Sequence, residues 1–293
     1  MKVLVTGANG QLGYALQKTG RELPVEHRLE LIALTRAELD LAQPEKISGV
    51  LNRVQPDIVI NAAAYTAVDK AESEPALAQK INADAVKEMA IWCQRENKIL
   101  IQVSTDFVFD GKKSSPYTPD DETAPLGVYG KTKQQGELFA LAECENCYVV
   151  RTGWVYGEHG ANFVKTILRL AKERDSLGIV ADQVGTPTYV IHLAHMLWQL
   201  VLQKPSQKMW HFSDAGVASW YDFAIAIVEE ANANGLLTQQ PVVKPIATAD
   251  YPTPAHRPEF SVLNKKQTWD SLAVDPIHWR VALIKMLNAL KQY

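Results

Sequence analysis

The sequence lacks the features that mark a membrane or secreted protein. No apolar stretch approaches the ~18 residues that a membrane span needs. The N-terminal MKVLVTGANG holds only a three-residue apolar run, which is too short for the h-region of a signal peptide. Three cysteines in 293 residues are too few for a disulfide framework. We therefore expect a cytoplasmic, reduced protein with no membrane partner.

Basic runs are also lacking, and the net charge is −3. Such a chain is not suited to bind a nucleic-acid backbone, so a small molecule is the expected partner. Cys144 and Cys147 form a Cys-x-x-Cys without a second ligand pair, which predicts a turn that leads into a strand. His192 and His195 lie three residues apart without a paired acid, and we interpret them as packing and surface residues. The residues predict no metal.

The first two-thirds of the chain alternates strand-like and helix-like segments. The strand candidates are short, apolar on both faces and rich in Val and Ile: KVLVTG (2–7), LELIALT (29–35), DIVINAA (57–63), KILIQVST (98–105) and CYVVRTG (147–153). Helical patterns lie between them: QLGYALQKTGRE, PEKISGVLNRV, ALAQKINADAVKEMAIWCQREN and TKQQGELFALAEC. This alternation predicts an α/β fold with a Rossmann-type, doubly wound parallel sheet.

The alternation loosens after residue 155. Amphipathic helices are predicted at NFVKTILRLAKER, SWYDFAIAIVEEANANG and VALIKMLNALKQ, and the proline-rich segment 239–260 is expected to be irregular. We predict a dinucleotide-binding Rossmann domain over residues 1–155, completed by 177–215. A smaller C-terminal substrate-binding lobe would comprise 156–176 and 216–293.

The first predicted strand ends in TGANGQLG, which carries Gly7, Gly10 and Gly13 at three-residue intervals. Glycines at this spacing allow a tight turn, a close approach of the backbone to a pyrophosphate, and close packing of the following helix. The anion would lie on the free amides of the helix N-terminus, beside Gln11 and Leu12. This turn predicts dinucleotide binding.

The second predicted strand ends in Thr35-Arg36, where an acid would bind the ribose 2′-hydroxyl of NAD. An arginine there suits a 2′-phosphate, so the sequence favours NADPH. Glu38 and Asp40 follow closely, which leaves NADH open.

A candidate catalytic group combines Thr105, at the end of KILIQVST, with Tyr129 and Lys133 of GVYGKTKQQGE. Residues at i and i+4 share one helix face, and ligands of open α/β sheets bind at the carboxyl ends of strands. A tyrosine phenol with a lysine one turn away can donate a proton to a carbonyl oxygen, because the lysine and the positive nicotinamide of the oxidised cofactor together lower the phenol pKa. Thr105 can hydrogen-bond the same oxygen.

Seven segments form a set along the chain: TGANGQLG, NAAAYTAVDKAESE (61–74), STDFVFDG (104–111), VYGKTKQQGE (128–137), RTGWVYG (151–157), DQVGTPT (182–188) and YPTPAHRPEFSVLN (251–264). The set resembles the extended short-chain dehydrogenase/reductase superfamily and, within it, the dTDP-4-dehydrorhamnose reductase family. The resemblance covers essentially the whole chain. It implies NAD(P)H-dependent reduction of the C4 ketone of dTDP-4-dehydro-β-L-rhamnose to dTDP-β-L-rhamnose.

The resemblance also implies roles for individual residues. On the cofactor side it implies Asp40, Leu41, Ala62, Ala63, Ala64 and Thr66, with Tyr129 and Lys133 orienting the ribose. On the substrate side it implies Val68, Thr105, Asp106, Trp154 and Arg257. Trp154 would be an apolar wall for the sugar ring and Arg257 a clamp for the diphosphate.

The sequence departs from the family at two places. Phe107 stands where the family usually has tyrosine. Ala15 and TPTYVIH offer no acids for the interface magnesium that some members bind, so no metal is predicted and homodimerisation stays open.

The same motifs also occur in proteins with other roles, of which three are relevant. A dehydratase is disfavoured because Asp106 is followed by Phe107 and not by glutamate. A nucleotide-sugar epimerase and a non-catalytic NADP-binding regulatory subunit remain as alternatives.

Overall fold

The computed structural model describes residues 1–24 and 29–291. Its strands are β1 (Lys2–Thr6), β2 (Glu30–Leu34), β3 (Ile58–Asn61), β4 (Ile99–Thr105), β5 (Cys147–Thr152), β6 (Val155–Tyr156), β7 (Ser176–Val180), β8 (Val184–Gly185), β9 (Thr188–Tyr189), β10 (Met209–His211), β11 (Ala218–Ser219) and β12 (Val242–Ile246). All five strands predicted from the sequence are present.

The α-helices are α1 (Gln11–Gly20), α2 (Ile47–Val54), α3 (Val68–Ala71), α4 (Pro75–Gln79), α5 (Ala85–Arg95), α6 (Val128–Glu143), α7 (Phe163–Glu173), α8 (Val190–Gln203), α9 (Trp220–Ala233), α10 (Lys266–Leu272) and α11 (Trp279–Leu290). The long helix predicted over 76–97 is interrupted by a π-helical segment, Lys80–Asp84, between α4 and α5. The last residue of the predicted C-terminal helix, Gln292, lies outside the described residues.

The central sheet has six strands in the order β2-β1-β3-β4-β5-β10, and every pair is parallel. The chain moves outward from β1 to β2 on one side and from β3 through β5 to β10 on the other. The order therefore reverses between β1 and β3, which is the switch point where open α/β sheets bind ligands. The predicted Rossmann-type fold is confirmed.

Helices cover both faces of this sheet. Val3 and Val5 pack with Leu16 of α1 and Leu197 of α8, whereas Leu4, which lies between them, packs on the opposite face against α2, α5 and α6. Successive residues of a strand point to opposite faces, so a strand buried on both faces must be continuously apolar. This arrangement is doubly wound, as predicted.

A further apolar core lies outside the sheet and is built by α7, α9 and α11. Beside it β12 pairs with β7 in a two-stranded parallel sheet. The expectation that 239–260 is wholly irregular is therefore wrong, because Val242–Ile246 forms a strand. Pro245 is compatible with it, since both strands of a two-stranded sheet are edges and need no donor on their outer side. The predicted domain boundaries stay a prediction.

Two smaller expectations have different outcomes. His192 does have an acidic partner, because its Nδ1 lies 2.7 Å from Oδ1 of the buried Asp214. This aspartate is distant in sequence and could not be found from local spacing. Cys147 opens β5, and its thiol, like those of Cys93 and Cys144, is buried and free.

Within the described ranges no helix is long and apolar enough to cross a membrane.

Candidate active site

A cavity of about 770 Å³ opens at the carboxyl ends of β1, β3, β4 and β5. It brings together the predicted site residues Gly7, Gly10, Gln11, Leu12, Arg36, Asp40, Leu41, Ala62, Ala63, Ala64, Thr66, Val68, Thr105, Asp106, Tyr129, Lys133, Trp154 and Arg257. Only Gly13, among the predicted residues, is outside its lining.

The glycine turn between β1 and α1 is closely packed. Gly7 has φ +70°, and a Cβ there would lie 3.0 Å from Cβ of Ala63. A Cβ on Gly13 would lie 2.1 Å from the Gly7 carbonyl oxygen. Gly13 therefore lets α1 pack against the turn and does not itself face the cavity, while Gly7 and Gly10 form part of its wall.

A chain of buried amide and hydroxyl groups fixes the strand ends on either side of the switch point. The Thr6 hydroxyl donates to Oδ1 of Asn61 at 2.6 Å and accepts from the backbone N–H of Ala63 at 3.1 Å. Nδ2 of Asn61 donates to Oε1 of Gln102 on β4 at 2.7 Å. These bonds hold β1, β3 and β4 in register at the crevice.

The far end of the cavity carries the charged groups that follow β2. The side chain of Arg36 is 76% exposed, and its Nε lies 3.3 Å from Oδ1 of Asp40. Glu38 points back toward the chain, because Oε2 accepts from both the N–H and the hydroxyl of Thr35 at 2.8 Å. The Glu38 carboxylate thus accepts the hydrogen bonds of its own turn. Arg36 provides a positive charge at this end of the cavity.

Lys133 is buried within the cavity wall, one helical turn after Tyr129 on α6. Its Nζ donates to the Val103 carbonyl of β4 at 2.6 Å. Burial lowers the pKa of the ammonium to about 8, although the nearby Glu137 carboxylate acts in the opposite direction. A hydrogen bond to the strand thus anchors the lysine, which still carries its proton at neutral pH.

Burial raises the pKa of Tyr129 to about 12, with a smaller lowering from a hydrogen bond with Thr105 and a smaller rise from the charge of Asp106. The lowering of this pKa by Lys133 together with the oxidised nicotinamide stays a prediction. In the protein alone, loss of hydration of the phenolate is the larger effect. The ring of Phe107 packs edge-on against Tyr129, with centroids 5.6 Å apart.

Asp106 follows Thr105 in the chain, and its side chain is buried, with 2% of the residue exposed. The Thr105 hydroxyl donates to its Oδ1 at 3.0 Å. Burial raises the pKa of Asp106 to about 6, against hydrogen bonds from Ser261 and Thr105. A Cβ at Gly153 would lie 2.5 Å from this carboxyl group, so a side chain there would displace it.

Arg257 is held by an acid that the sequence analysis did not pair with it. Its Nη1 and Nη2 donate to the two carboxylate oxygens of Asp69 on α3 at 3.0 and 2.8 Å. Nη1 also donates to the Thr253 hydroxyl. The guanidinium lines the cavity in a fixed orientation, with its charge already paired to a carboxylate.

Comparisons with known proteins show the family of this chain. The family model for the RmlD substrate binding domain matches residues 1–292. The chain belongs to this family. A dTDP-4-dehydrorhamnose reductase of Aggregatibacter actinomycetemcomitans is 43% identical over 96% of this chain and 97% of its own length.

Two crystal structures of dTDP-4-dehydrorhamnose reductases resemble this RmlD-family fold. The Clostridium acetobutylicum structure has a TM-score of 0.91 with 39% identity and covers 99% of this chain and 100% of its own. The Bacillus anthracis structure, a complex with NADP, has a TM-score of 0.90 with 35% identity and covers 98% and 99% of the two chains.

Sequence reasoning missed several residues that line the cavity of this RmlD-family chain: Leu39, Ile81, Val103, Ser104, Phe107, Thr152, Gly153, Val155, Gly160, Ala161, Leu193 and Trp220. Most flank a predicted residue in the chain, so adjacency to Thr105 or Trp154 could have found them. Trp220 had no such signal, because SWYDFAIAIVEE was interpreted only as an amphipathic helix.

The residues present fit a dinucleotide. A glycine cradle with no room for side chains faces the switch point. Deeper in the cavity wall, Ser104 Oγ and Thr152 Oγ1 are buried and have no hydrogen-bond partner among the described residues. Buried hydroxyls of this kind call for a polar ligand or water. Among residues 1–24 and 29–291 no cluster of His, Cys, Asp or Glu could hold a metal.

Proposed function

We propose that this protein reduces the C4 ketone of dTDP-4-dehydro-β-L-rhamnose to dTDP-β-L-rhamnose, with NADPH as the preferred cofactor. The observation that carries the proposal is the meeting of Thr105, Tyr129 and Lys133 in a cavity that starts at a glycine cradle. Family membership and the names of the close relatives agree with it.

For the cofactor, Gly7, Gly10, Gln11 and Leu12 would hold the pyrophosphate through the turn and the N-terminus of α1. Asp40, Leu41, Ala62, Ala63, Ala64 and Thr66 would line the path of the nucleotide. The bound cofactor supplies a hydride. Gly13 supports this site by packing.

Tyr129 donates the proton that the reduced carbonyl oxygen requires. A pKa of about 12 keeps the phenol protonated at neutral pH, so it enters the reaction as an acid. The Thr105 hydroxyl, which donates to Asp106, would turn its single proton to the same oxygen. Lys133 places a positive charge near the phenolate that proton transfer leaves. The hydrogen bond from Lys133 to the Val103 carbonyl holds that charge one helical turn from Tyr129.

The substrate would occupy the end of the cavity lined by Val68, Thr105, Asp106, Trp154 and Arg257. Arg257 donates to Asp69 through both terminal nitrogens, whereas among the described residues its Nε has no recorded acceptor. We infer that the Nε side of the Arg257 guanidinium binds the diphosphate, while Asp69 holds the two terminal nitrogens in place. Replacing Arg257 with lysine should then weaken binding, because an ammonium cannot serve both anions.

For cofactor choice, Arg36 would bind a 2′-phosphate. The guanidinium is exposed and only loosely paired to Asp40, so it can turn toward an anion at low cost. NADH lacks this phosphate and would bind more weakly.

The test generates the 4-keto sugar nucleotide in situ and follows absorbance of NADPH, then of NADH, as the protein is added. We expect cofactor consumption that depends on the dTDP-sugar and is faster with NADPH. Interconversion of sugars without net consumption would instead indicate an epimerase. Binding of NADPH without turnover would indicate a regulatory subunit, and either result would refute the reductase.

A further inference from the structure

We propose that Trp220 is a positioning residue for the substrate sugar, because it fixes the indole of Trp154 as a flat wall of the cavity. The inference rests on the proposed function, in which Trp154 faces the sugar ring. Both indoles line the cavity, although they come from segments 66 residues apart in the chain (220 − 154).

The backbone of Trp154 has an unusual conformation. Its φ is +51°, in the left-handed region that bulky side chains rarely adopt. The surroundings must hold such a residue in place. Thr188 does so on the main chain: its N–H donates to the Trp154 carbonyl at 3.1 Å, and its hydroxyl donates to the Gly153 carbonyl at 2.6 Å.

The side chain of Trp154 is held separately from its backbone. The ring of Trp220 stacks on it with centroids 3.4 Å apart and planes 1° from parallel. A Cβ at Gly185 would lie 2.6 Å from Cε2 and Nε1 of the Trp154 indole, so the absence of a side chain there makes room for it. The indole therefore has a single orientation.

Local structure also fixes Trp220 itself. In the antiparallel pair of β11 and β8, Ala218 is opposite Gly185, which places the start of α9 beside the Trp154 indole. Ser219 caps α9 in a capping box with Asp222, and Trp220 is the first residue of that helix. The ring of Phe163 also packs against Trp220, with centroids 4.6 Å apart and planes tilted by 52°.

This arrangement gives Trp220 a defined task. An indole in a left-handed backbone can turn away once its stacking partner is removed, and the sugar then loses a preformed apolar face. Preformed contacts strengthen binding because less freedom is lost when the ligand arrives. Trp220 should thus act on sugar binding and not on proton transfer from Tyr129, which lies on a different element, α6.

The experiment compares Trp220→Ala and Trp220→Phe with the wild-type protein. We expect Trp220→Ala to raise the KM for the dTDP-4-keto sugar about tenfold, the upper range for an aromatic pair, with kcat changed less than about threefold. Trp220→Phe keeps a stacking ring and should restore the KM to within about threefold. The Kd for NADPH should stay the same in both variants.

A matched control is Trp269→Leu, which removes an indole outside the cavity lining, beside Lys265. It should leave the KM unchanged. Near-UV circular dichroism reports the stacked indole pair directly. The signal of the stacked pair should change in both Trp220 variants and be kept in Trp269→Leu. If Trp220→Ala does not fold, Trp220→Leu and Trp220→Phe replace it, with the larger effect on KM expected for leucine.

A KM unchanged in folded Trp220→Ala or Trp220→Leu would overturn the positioning role, even with an altered aromatic signal. If the wild-type protein shows no turnover, the proposed function fails. Calorimetric titration with dTDP-L-rhamnose then tests Trp220 alone, and weaker binding by the variants would support its role. No binding by the wild-type protein would overturn both proposals.

Discussion

Glu137 of α6 and Arg151 of β5 form a buried ion pair, and separating them should strongly destabilise the protein. Their side chains are 3% and 5% exposed. Nε and Nη2 of Arg151 donate to the Glu137 carboxylate at 2.8–3.1 Å, and Nη1 lies 3.4 Å from Nε2 of His211. Removing one partner leaves the other as an unpaired buried charge, which costs about 3–5 kcal/mol.

We expect Glu137→Leu or Arg151→Met alone to lower the free energy of unfolding by about 3–5 kcal/mol, and Tm by on the order of 10 °C. The double variant removes both charges of this pair, although buried Lys133 still loses the nearby carboxylate that favours its charged form. Its loss should therefore be smaller than the sum of the single losses by about 3 kcal/mol. Urea unfolding of all four proteins measures this coupling.

The exposed pair Arg169–Glu173 is the matched control, because its side chains are 60% and 50% exposed and one turn apart on α7. Breaking that pair should cost only about 0.5 kcal/mol or less. If Glu137→Leu and Arg151→Met each cost no more than this control, the reasoning from burial is refuted.

Three further predictions concern the site and its pH response. Tyr129→Phe should reduce kcat by about 10²–10⁴-fold with the Kd for NADPH nearly unchanged, as measured by steady-state kinetics and fluorescence titration. A wild-type kcat in this variant would refute the role of Tyr129 as proton donor. Arg36→Ala should weaken NADPH binding about tenfold but not NADH binding, and an equal loss for both would exclude a 2′-phosphate contact. His211 has a pKa lowered to about 3 by burial, whereas the unfolded chain binds its proton below about 6.5, so acid destabilises the fold. Between pH 7 and 5 this costs about 2 kcal/mol, and His211→Gln should lose that part of the pH dependence in urea unfolding.

The fold was predictable where burial is strong. β1, β3, β4 and β5 are mostly apolar on both faces because helices cover both faces of the sheet, and that pattern is visible in the sequence. β10 escaped detection because Met209–His211 is too short to carry a pattern. β12 was missed because its segment is rich in proline, which indicates irregular structure. Pro245 is incompatible with a central strand but is tolerated in an edge strand such as β12.

The residues of the candidate site were predictable where they follow a strand or share a motif. Thr105 and Gly7 follow β4 and β1, and the parallel sheet places all such ends at one edge. The pairing of Arg257 with Asp69, 188 residues earlier, depends on tertiary structure that no local pattern carries. The stack of Trp154 on Trp220 is of the same kind, since β8 and β11 must pair before the indoles meet.

The pKa of Tyr129 shows why a motif alone does not define the chemistry. Tyr-x-x-x-Lys suggests an activated phenol, yet burial raises its pKa to about 12. The same burial lowers the pKa of Lys133 to about 8, so the charged form is still favoured at pH 7. A charge in a buried wall acts at low effective dielectric, and there it favours a phenolate much more than it would in water. In the proposed mechanism Tyr129 is the protonated donor, and the cation that would stabilise its conjugate base is held by the Val103 carbonyl.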